Sequence, residues 1–131
     1  MNLDMSTTKL PSEEELISLF SQTTWASKRK QQDIQKMLKS LQVFVTVREN
    51  GKLIGFGRAL SDGVYRALID DIIVDSSYQK QGIGRIIIEN IVAQLEGIDE
   101  VFLNTKPNLE EFYNKFGFHT VKTITMKKES Y

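Results

Sequence analysis

The sequence predicts a mixed α/β (α+β) fold, a sheet flanked by helices in the order α-α-β-β-β-α-β-α-β. Three observations carry this. Two stretches with helical spacing of apolar residues come first. A strand-like region broken by Asn50-Gly51 follows, and that dipeptide between apolar runs marks a hairpin because both turn positions need positive φ. A further strand-like run, Ala67 to Val74, then passes through a glycine-containing loop into another helix. A hairpin meander followed by β-α-β describes a mixed sheet and not a doubly wound one.

The elements follow in order. Pro11-Ser12-Glu13-Glu14-Glu15 is a helix start. Ser12 can cap the first turn, Glu15 can close a capping box, and the carboxylates favour the positive helix end. Leu16, Ile17, Leu19 and Phe20 supply its apolar stripe. A second helix is expected from Lys28 to Leu41, with Ile34, Met37, Leu38 and Leu41 on one face. Val43, Val45 and Val47 alternate with Phe44 and Thr46. Leu53, Ile54 and Phe56 resume after Asn50-Gly51, and Asp62-Gly63 marks the next turn. The third helix starts near Gly82 with Ile86, Ile87, Ile91, Val92 and Leu95, and Gly97 is its C-cap candidate. Val101 to Leu103 reads as a strand, Leu109 to Phe116 as a fourth helix, and Phe118 to Met126 as a closing strand.

The 131 residues are expected to form one domain, 1–131. Lysine and arginine number 17, as do aspartate and glutamate, so the net charge is zero. That balance gives no support to a nucleic-acid binder. There is no cysteine and one histidine, His119. Thiolate metal sites, disulfide scaffolds, cysteine nucleophiles and zinc hydrolases are set aside, and no metal is expected. A reducing, cytoplasmic setting is compatible with this usage. No apolar run approaches the ~20 residues of a membrane span.

The chemistry is concentrated between Ile72 and Arg85. A buried strand enters a loop holding Gly82 and Gly84 and then a helix, which aims backbone N–H groups at one place and suits a diphosphate. A Walker loop does not fit, because Arg85 and Ile86 follow Gly84; a dinucleotide fingerprint does not fit, because Ile87 stands where it needs glycine or alanine. What fits is Gln79-x-x-Gly82-x-Gly84, after Ile69-Asp70-Asp71-Ile72-Ile73-Val74. This string closely resembles the acyl-CoA loop of the GNAT acetyltransferase superfamily. Phe112-Tyr113-Asn114-Lys115-Phe116-Gly117-Phe118 resembles that superfamily's second signature, with one helix and one strand between the two.

The resemblance covers roughly Leu53 to Val121. It implies a central, mostly antiparallel mixed sheet, with the family's short first strand falling on Thr7 to Leu10. It implies acetyl-CoA as co-substrate and N-acetylation of a primary amine, expected to belong to a small molecule. The pyrophosphate would rest on the amides of Gln81, Gly82, Ile83, Gly84 and Arg85, with Gln79 and Lys80 also toward the cofactor. The pantetheine arm would pair along Ile72, Ile73 and Val74, with Asn108 and Phe112 also toward the cofactor. Asn104 is a rival to Asn108. Tyr113 would protonate the departing thiolate. The family often dimerises, so a homodimer pairing along Val121 to Met126 joins the expectations.

The chemistry is sound in its own right. A thiol and a phenol have ordinary pKa values of about 8.5 and about 10, close enough for proton transfer. A strand-edge amide near Ile73 could steady the oxyanion. Without cysteine, direct attack in a ternary complex replaces an acyl-cysteine route. The resemblance also implies a base or water-holding acid on this strand, for which Asp70 and Asp71 are both candidates; adjacent on a strand, they are expected to face opposite sides. Trp25, Lys28, Arg29 and Lys30 lie where the family shapes its acceptor site, although a buried indole followed by a solvated charge run is the plainer expectation.

Overall fold

The protein is described by a computed structural model covering residues 2–130. The elements are β1 (Leu3–Ser6), α1 (Glu13–Phe20), α2 (Gln31–Ser40), β2 (Val43–Glu49), β3 (Lys52–Ser61), β4 (Arg66–Val74), α3 (Ile83–Gln94), β5 (Glu100–Leu103) and α4 (Glu110–Asn114). The five strands form one sheet in chain order. Neighbours are antiparallel except β4 and β5, which run parallel. This is the mixed α+β architecture expected.

Local chemistry sets the boundaries. Ser12 Oγ accepts from the Glu15 N–H at 3.1 Å while Glu15 Oε1 accepts from the Ser12 N–H at 2.9 Å, so the capping box opens α1. Asn50 and Gly51 hold φ of 48° and 85°, turning β2 into β3 as the dipeptide requires.

The sheet separates two apolar layers. On one face Leu16, Leu19 and Phe20 of α1 and Ile34 of α2 pack on Phe44, Leu53, Phe56 and Ile73. On the other, Ile83, Ile87, Ile88 and Ile91 of α3 pack on Val45, Val47, Ile54, Ala59 and Ile69. Fully burying one such side chain contributes about 1.5–3 kcal/mol. α3 lies so close to β3 that a Cβ on Gly57 would stand 2.6 Å from Ile87 Cγ2 and 2.9 Å from Ile91 Cδ1, with Ile72 Cδ1 of β4 at 2.7 Å.

Three expectations are corrected. The first strand is Leu3–Ser6, not Thr7 to Leu10. Ser6 Oγ accepts from the N–H groups of Thr8 and Lys9 and turns the chain there. The fourth helix is shorter than Leu109 to Phe116: a 3₁₀ turn, Pro107–Leu109, precedes α4. It closes as Gly117, at φ 91°, donates to Asn114 O and Phe118 donates to Tyr113 O. Phe118 to Met126 forms no strand. A two-residue period would put Lys122 with Phe118, Ile124 and Met126, and Val121 on the opposite side. Neither face is consistently apolar, so burial does not reward pairing. Side chains hold the tail instead, with Thr125 Oγ1 donating to Asn104 Oδ1 and Thr120 Oγ1 to Glu110 Oε2.

Candidate functional site

β5 pairs only with Arg66 to Ile69, and after Leu103 the chain leaves the sheet. Among the described residues, Asp70 to Val74 therefore have no strand on their outer side, although β3 covers their inner side. This opening follows from the short apolar run Val101-Phe102-Leu103, which Asn104 and Pro107 bring to an end.

A bulge marks where the opening begins. Asp71 has φ 54°, and the β3–β4 register shifts between Phe56 and Arg58. One extra residue reverses the inward–outward phase of a strand. Ala67 and Ile69 face α3 before it, and Ile72 and Val74 pack with the α3 layer after it. Asp70 and Asp71 are thereby brought to the same face, against the expectation of opposite sides. Both approach Arg58, with Nε donating to Asp71 Oδ2 at 2.7 Å and Nη2 lying 3.9 Å from Asp70 Oδ2.

The two carboxylates have different surroundings. Asp71 is fully enclosed and also accepts Arg29 Nη1 and Nη2 at 2.8 and 3.0 Å. Its oxygens are occupied, and it acts as an anchor between strand and loop. The Asp70 side chain is 45% exposed and open to solvent. Arg29 sits 4.9 Å from the Phe20 ring centre and 5.6 Å from that of Trp25. Its hydrogen bond to Asp71 raises its pKa above the usual arginine value. Lys28–Lys30 is thus not simply a solvated run, and the Trp25 indole is 52% exposed, not buried.

Beyond Val74 the chain forms a 3₁₀ turn, Ser76–Tyr78, capped by Asp75 Oδ1, which accepts from Ser77 N–H. Burial works against the Asp75 charge, but this bond, Gln22 and Lys52 outweigh it and leave its pKa lowered. Gln22 ties the turn to the end of α1, donating to Asp75 Oδ2 and accepting from Ser76 N–H. Gln79 Nε2 donates to Val74 O at 2.8 Å and fastens the loop to the strand. Lys80 and Gly82 take φ of 63° and 83°, and no side chain caps α3. The first intrahelical bond is Ile86 N–H to Gly82 O, so the amides of Ile83, Gly84 and Arg85 lie in the unpaired first turn. Gln81 and Lys80 are exposed, Ile83 is buried, and the Arg85 guanidinium is occupied by Glu89 at 2.6 Å.

The loop, the strand edge and α4 meet at Gly84. A Cβ there would lie 3.6 Å from Phe112 Cζ and 4.0 Å from Val74 Cγ2. Phe112 packs edge-on to Tyr113, with ring centres 5.0 Å apart. Tyr113 is 8% exposed and its pKa is raised by burial. It lines a hollow of about 700 Å³ with Leu103, Asn104 and the tail. Asn108 is exposed in the turn before α4, and His119 is exposed beyond it. Among the described residues, no group of three or more His, Cys, Asp or Glu could hold a metal ion, and no helix is long and apolar enough to cross a membrane.

Sequence reasoning missed Arg58, Asp75 and Gln22. Their partners lie 13, 53 and 54 positions away. For Arg58, a charged residue within an otherwise apolar strand run was the available signal.

Comparison with known proteins agrees with this geometry. A family model described as "Acetyltransferase (GNAT) domain" matches residues 7–130. The chain is 31% identical over 110 residues to the uncharacterized N-acetyltransferase ycf52 of Pyropia yezoensis, covering 79% of this chain and 63% of that protein. It is 37% identical over 70 residues to chloroplastic serotonin N-acetyltransferase 2 of Oryza sativa, covering 52% of this chain and 35% of the relative. These matches span less than two thirds of either relative. The crystal structure of a "probable acetyltransferase" of unknown function from methicillin-resistant Staphylococcus aureus superposes with a TM-score of 0.84. It is 27% identical and covers 98% of this chain and 99% of that one.

Proposed function

This chain belongs to the GNAT acetyltransferase family, and on that premise we propose that it is an acetyl-CoA-dependent N-acetyltransferase acting on a primary amine of a small molecule. The observation that carries the reading is the outer edge of Asp70–Val74, unpaired and ending at the uncapped first turn of α3. An extended amide-bearing arm can pair with such an edge as an added strand. A diphosphate suits the amides of Ile83, Gly84 and Arg85, and Gly84 sets no Cβ among them beside Phe112 and Val74. Gln79, Lys80, Gln81 and Gly82 shape that loop, and Asn108 borders it from the turn before α4.

Acetyl-CoA supplies the activated acetyl thioester. The amine nitrogen attacks the carbonyl carbon, the carbon–sulfur bond breaks, and the sulfur takes a proton from the Tyr113 hydroxyl. The amine proton leaves to solvent, and the Tyr113 phenolate takes one back from solvent to restore the acid. A main-chain amide near Ile73 steadies the oxyanion. Burial keeps Tyr113 protonated and ready. Asp70 meets the incoming ammonium, which loses a proton to solvent and attacks as the free amine, while Asp71, enclosed by Arg29 and Arg58, holds the bulge in place. We read residues 1–131 as one catalytic domain of the cytoplasm, without nucleic acid as a partner.

The test is CoA release against a panel of amines, read with a thiol reagent. The chain has no cysteine, so every thiol detected is product. Release that depends on both acetyl-CoA and a small amine is the expected result. CoA binding without release for any amine would make the domain a sensor, and acetylation confined to proteins would move the acceptor to lysines or N-termini.

A further inference from the structure

The segment between α1 and α2, residues 21–30, is fastened to β4 on both sides of the unpaired stretch Ile72 to Val74. At one end Arg29 holds Asp71 through two bonds. At the other, Gln22 reaches the residues that end the strand. Asp75 N–H still donates to Ile54 O of β3 at 2.8 Å, but the next residue, Ser76, donates its N–H to Gln22 Oε1 at 2.8 Å. Gln22 Nε2 in turn donates to Asp75 Oδ2 at 3.1 Å. Both halves of the carboxamide are used, and a carboxylate of the same length would supply no donor. Between its two ends the segment is folded, not slack. Thr23 Oγ1 donates to Phe20 O and accepts from Ala26 N–H, Ala26 is buried in the α1 layer, and Arg29 N–H donates to Ala26 O. Trp25, the chain's single tryptophan, stands exposed in the middle of it.

Burial does not call for the Gln22 contacts. Gln22 and Ser76 are both exposed, so water could serve the Ser76 N–H. Asp75 already accepts from Ser77 N–H, with Lys52 Nζ 3.8 Å away. Holding an exposed glutamine costs side-chain entropy, and what its two bonds fix is the direction in which the chain leaves β4. That direction sets where the 3₁₀ turn Ser76–Tyr78 lies. Through Gln79 to Gly82 it also sets where the first-turn amides of α3 lie relative to the Ile72–Val74 edge. On the reading of that edge and those amides as the acetyl-CoA site, on which this inference rests, we propose that Gln22 is a positioning residue for the cofactor. Acting through Ser76 and Asp75, it keeps the diphosphate amides in register with the strand edge. The link also runs the other way, because coupling between sites is reciprocal. A cofactor seated on the edge and the loop steadies the segment that holds Trp25.

Steady-state kinetics, CoA calorimetry and Trp25 fluorescence test this on wild type, Gln22→Met and Gln22→Glu. Methionine keeps the length of the side chain and loses both bonds. Glutamate keeps the acceptor for Ser76 and sets a second carboxylate against Asp75. Gln31→Met, which removes an exposed glutamine bond to Glu13, is the control. In wild type and control, CoA is expected to shift the Trp25 emission saturably. In Gln22→Met, the Kd of CoA and the KM for acetyl-CoA are expected to rise about tenfold, the scale of two lost hydrogen bonds, and the Trp25 shift to be lost even at saturating CoA. Circular dichroism and kcat should change little, the pattern of lost uniform binding. Gln22→Glu is expected to move in the same direction, and it carries the comparison if Gln22→Met does not fold. Wild-type affinity and Trp25 response in both Gln22 variants overturn the proposal. A lowered melting temperature with affinity unchanged also overturns it and leaves Gln22 a structural link only. Wild type that binds CoA with no change at Trp25 overturns it as well. Wild type that binds no CoA overturns the cofactor reading itself, and this inference with it.

Discussion

Arg29 and Asp71, 42 positions apart in the chain, are joined by two parallel hydrogen bonds of 2.8 and 3.0 Å. The pair ties the segment between α1 and α2 to the bulge at which β4 loses its outer neighbour. Arg58 closes the cluster from β3. The α1–α2 segment and the strand edge therefore share one anchor.

Asp71→Asn removes the charge that two arginines surround. Breaking a buried ion pair from one side costs about 3 kcal/mol. Arg29→Ala leaves Asp71 with Arg58 and costs about 2 kcal/mol, the scale of hydrogen bonds to a charged group. Asp70→Asn, at an exposed carboxylate, costs under about 1 kcal/mol and acts on the KM for the amine instead. Urea midpoints and steady-state kinetics separate the three.

Gly57→Ala forces a methyl group against Ile87 and Ile72 at 2.6 and 2.7 Å. Overpacking on this scale destabilises by about 1–3 kcal/mol. Gly84→Ala meets Phe112 at an ordinary 3.6 Å, so its stability is expected to stay near wild type while CoA affinity falls. Thermal melts with and without CoA read both effects.

Tyr113→Phe keeps the ring in its packing against Phe112 and Phe118. It is expected to lower kcat by about 10²-fold or more, the range of general acid catalysis, with CoA affinity unchanged. Burial raises the pKa of this phenol above the ordinary tyrosine value. The alkaline side of the kcat profile should therefore stay level until above the usual tyrosine range. A Phe variant with wild-type kcat contradicts the assignment.

Glu15 links acid sensitivity to α1. Burial works to raise its pKa, but the Ser12 backbone and Arg48 outweigh this and leave it lowered. A lowered folded-state value contributes stability that is complete above the unfolded value, about 4.3, and is lost as pH falls through the folded one. Urea midpoints should drop below about pH 4.3, and Glu15→Gln should flatten that drop while lowering stability at pH 7.

Much of this was readable from local signals. The capping box at Ser12, the Asn50-Gly51 turn and the glycine loop into α3 each express a preference settled within a few residues, and the structure carries all three. The bulge at Asp71 was not readable, because the groups that clasp its carboxylate are distant: Arg29 and Arg58 reach it from other segments of the chain. The tail failed for the opposite reason. Its alternation is local, but Lys122 spoils one face, and only partners elsewhere can decide whether such a segment pairs.

The most direct measurement is a calorimetric titration of CoA into the purified chain, with Tyr113→Phe alongside. Saturable binding, one CoA per chain, is expected for both proteins. Binding confined to the native state should add about 2.7 kcal/mol of stability at a hundredfold excess over Kd, visible as a raised melting temperature. No heat and no shift at millimolar CoA would contradict the assignment of the Asp70–Val74 edge and the α3 amides as the cofactor site.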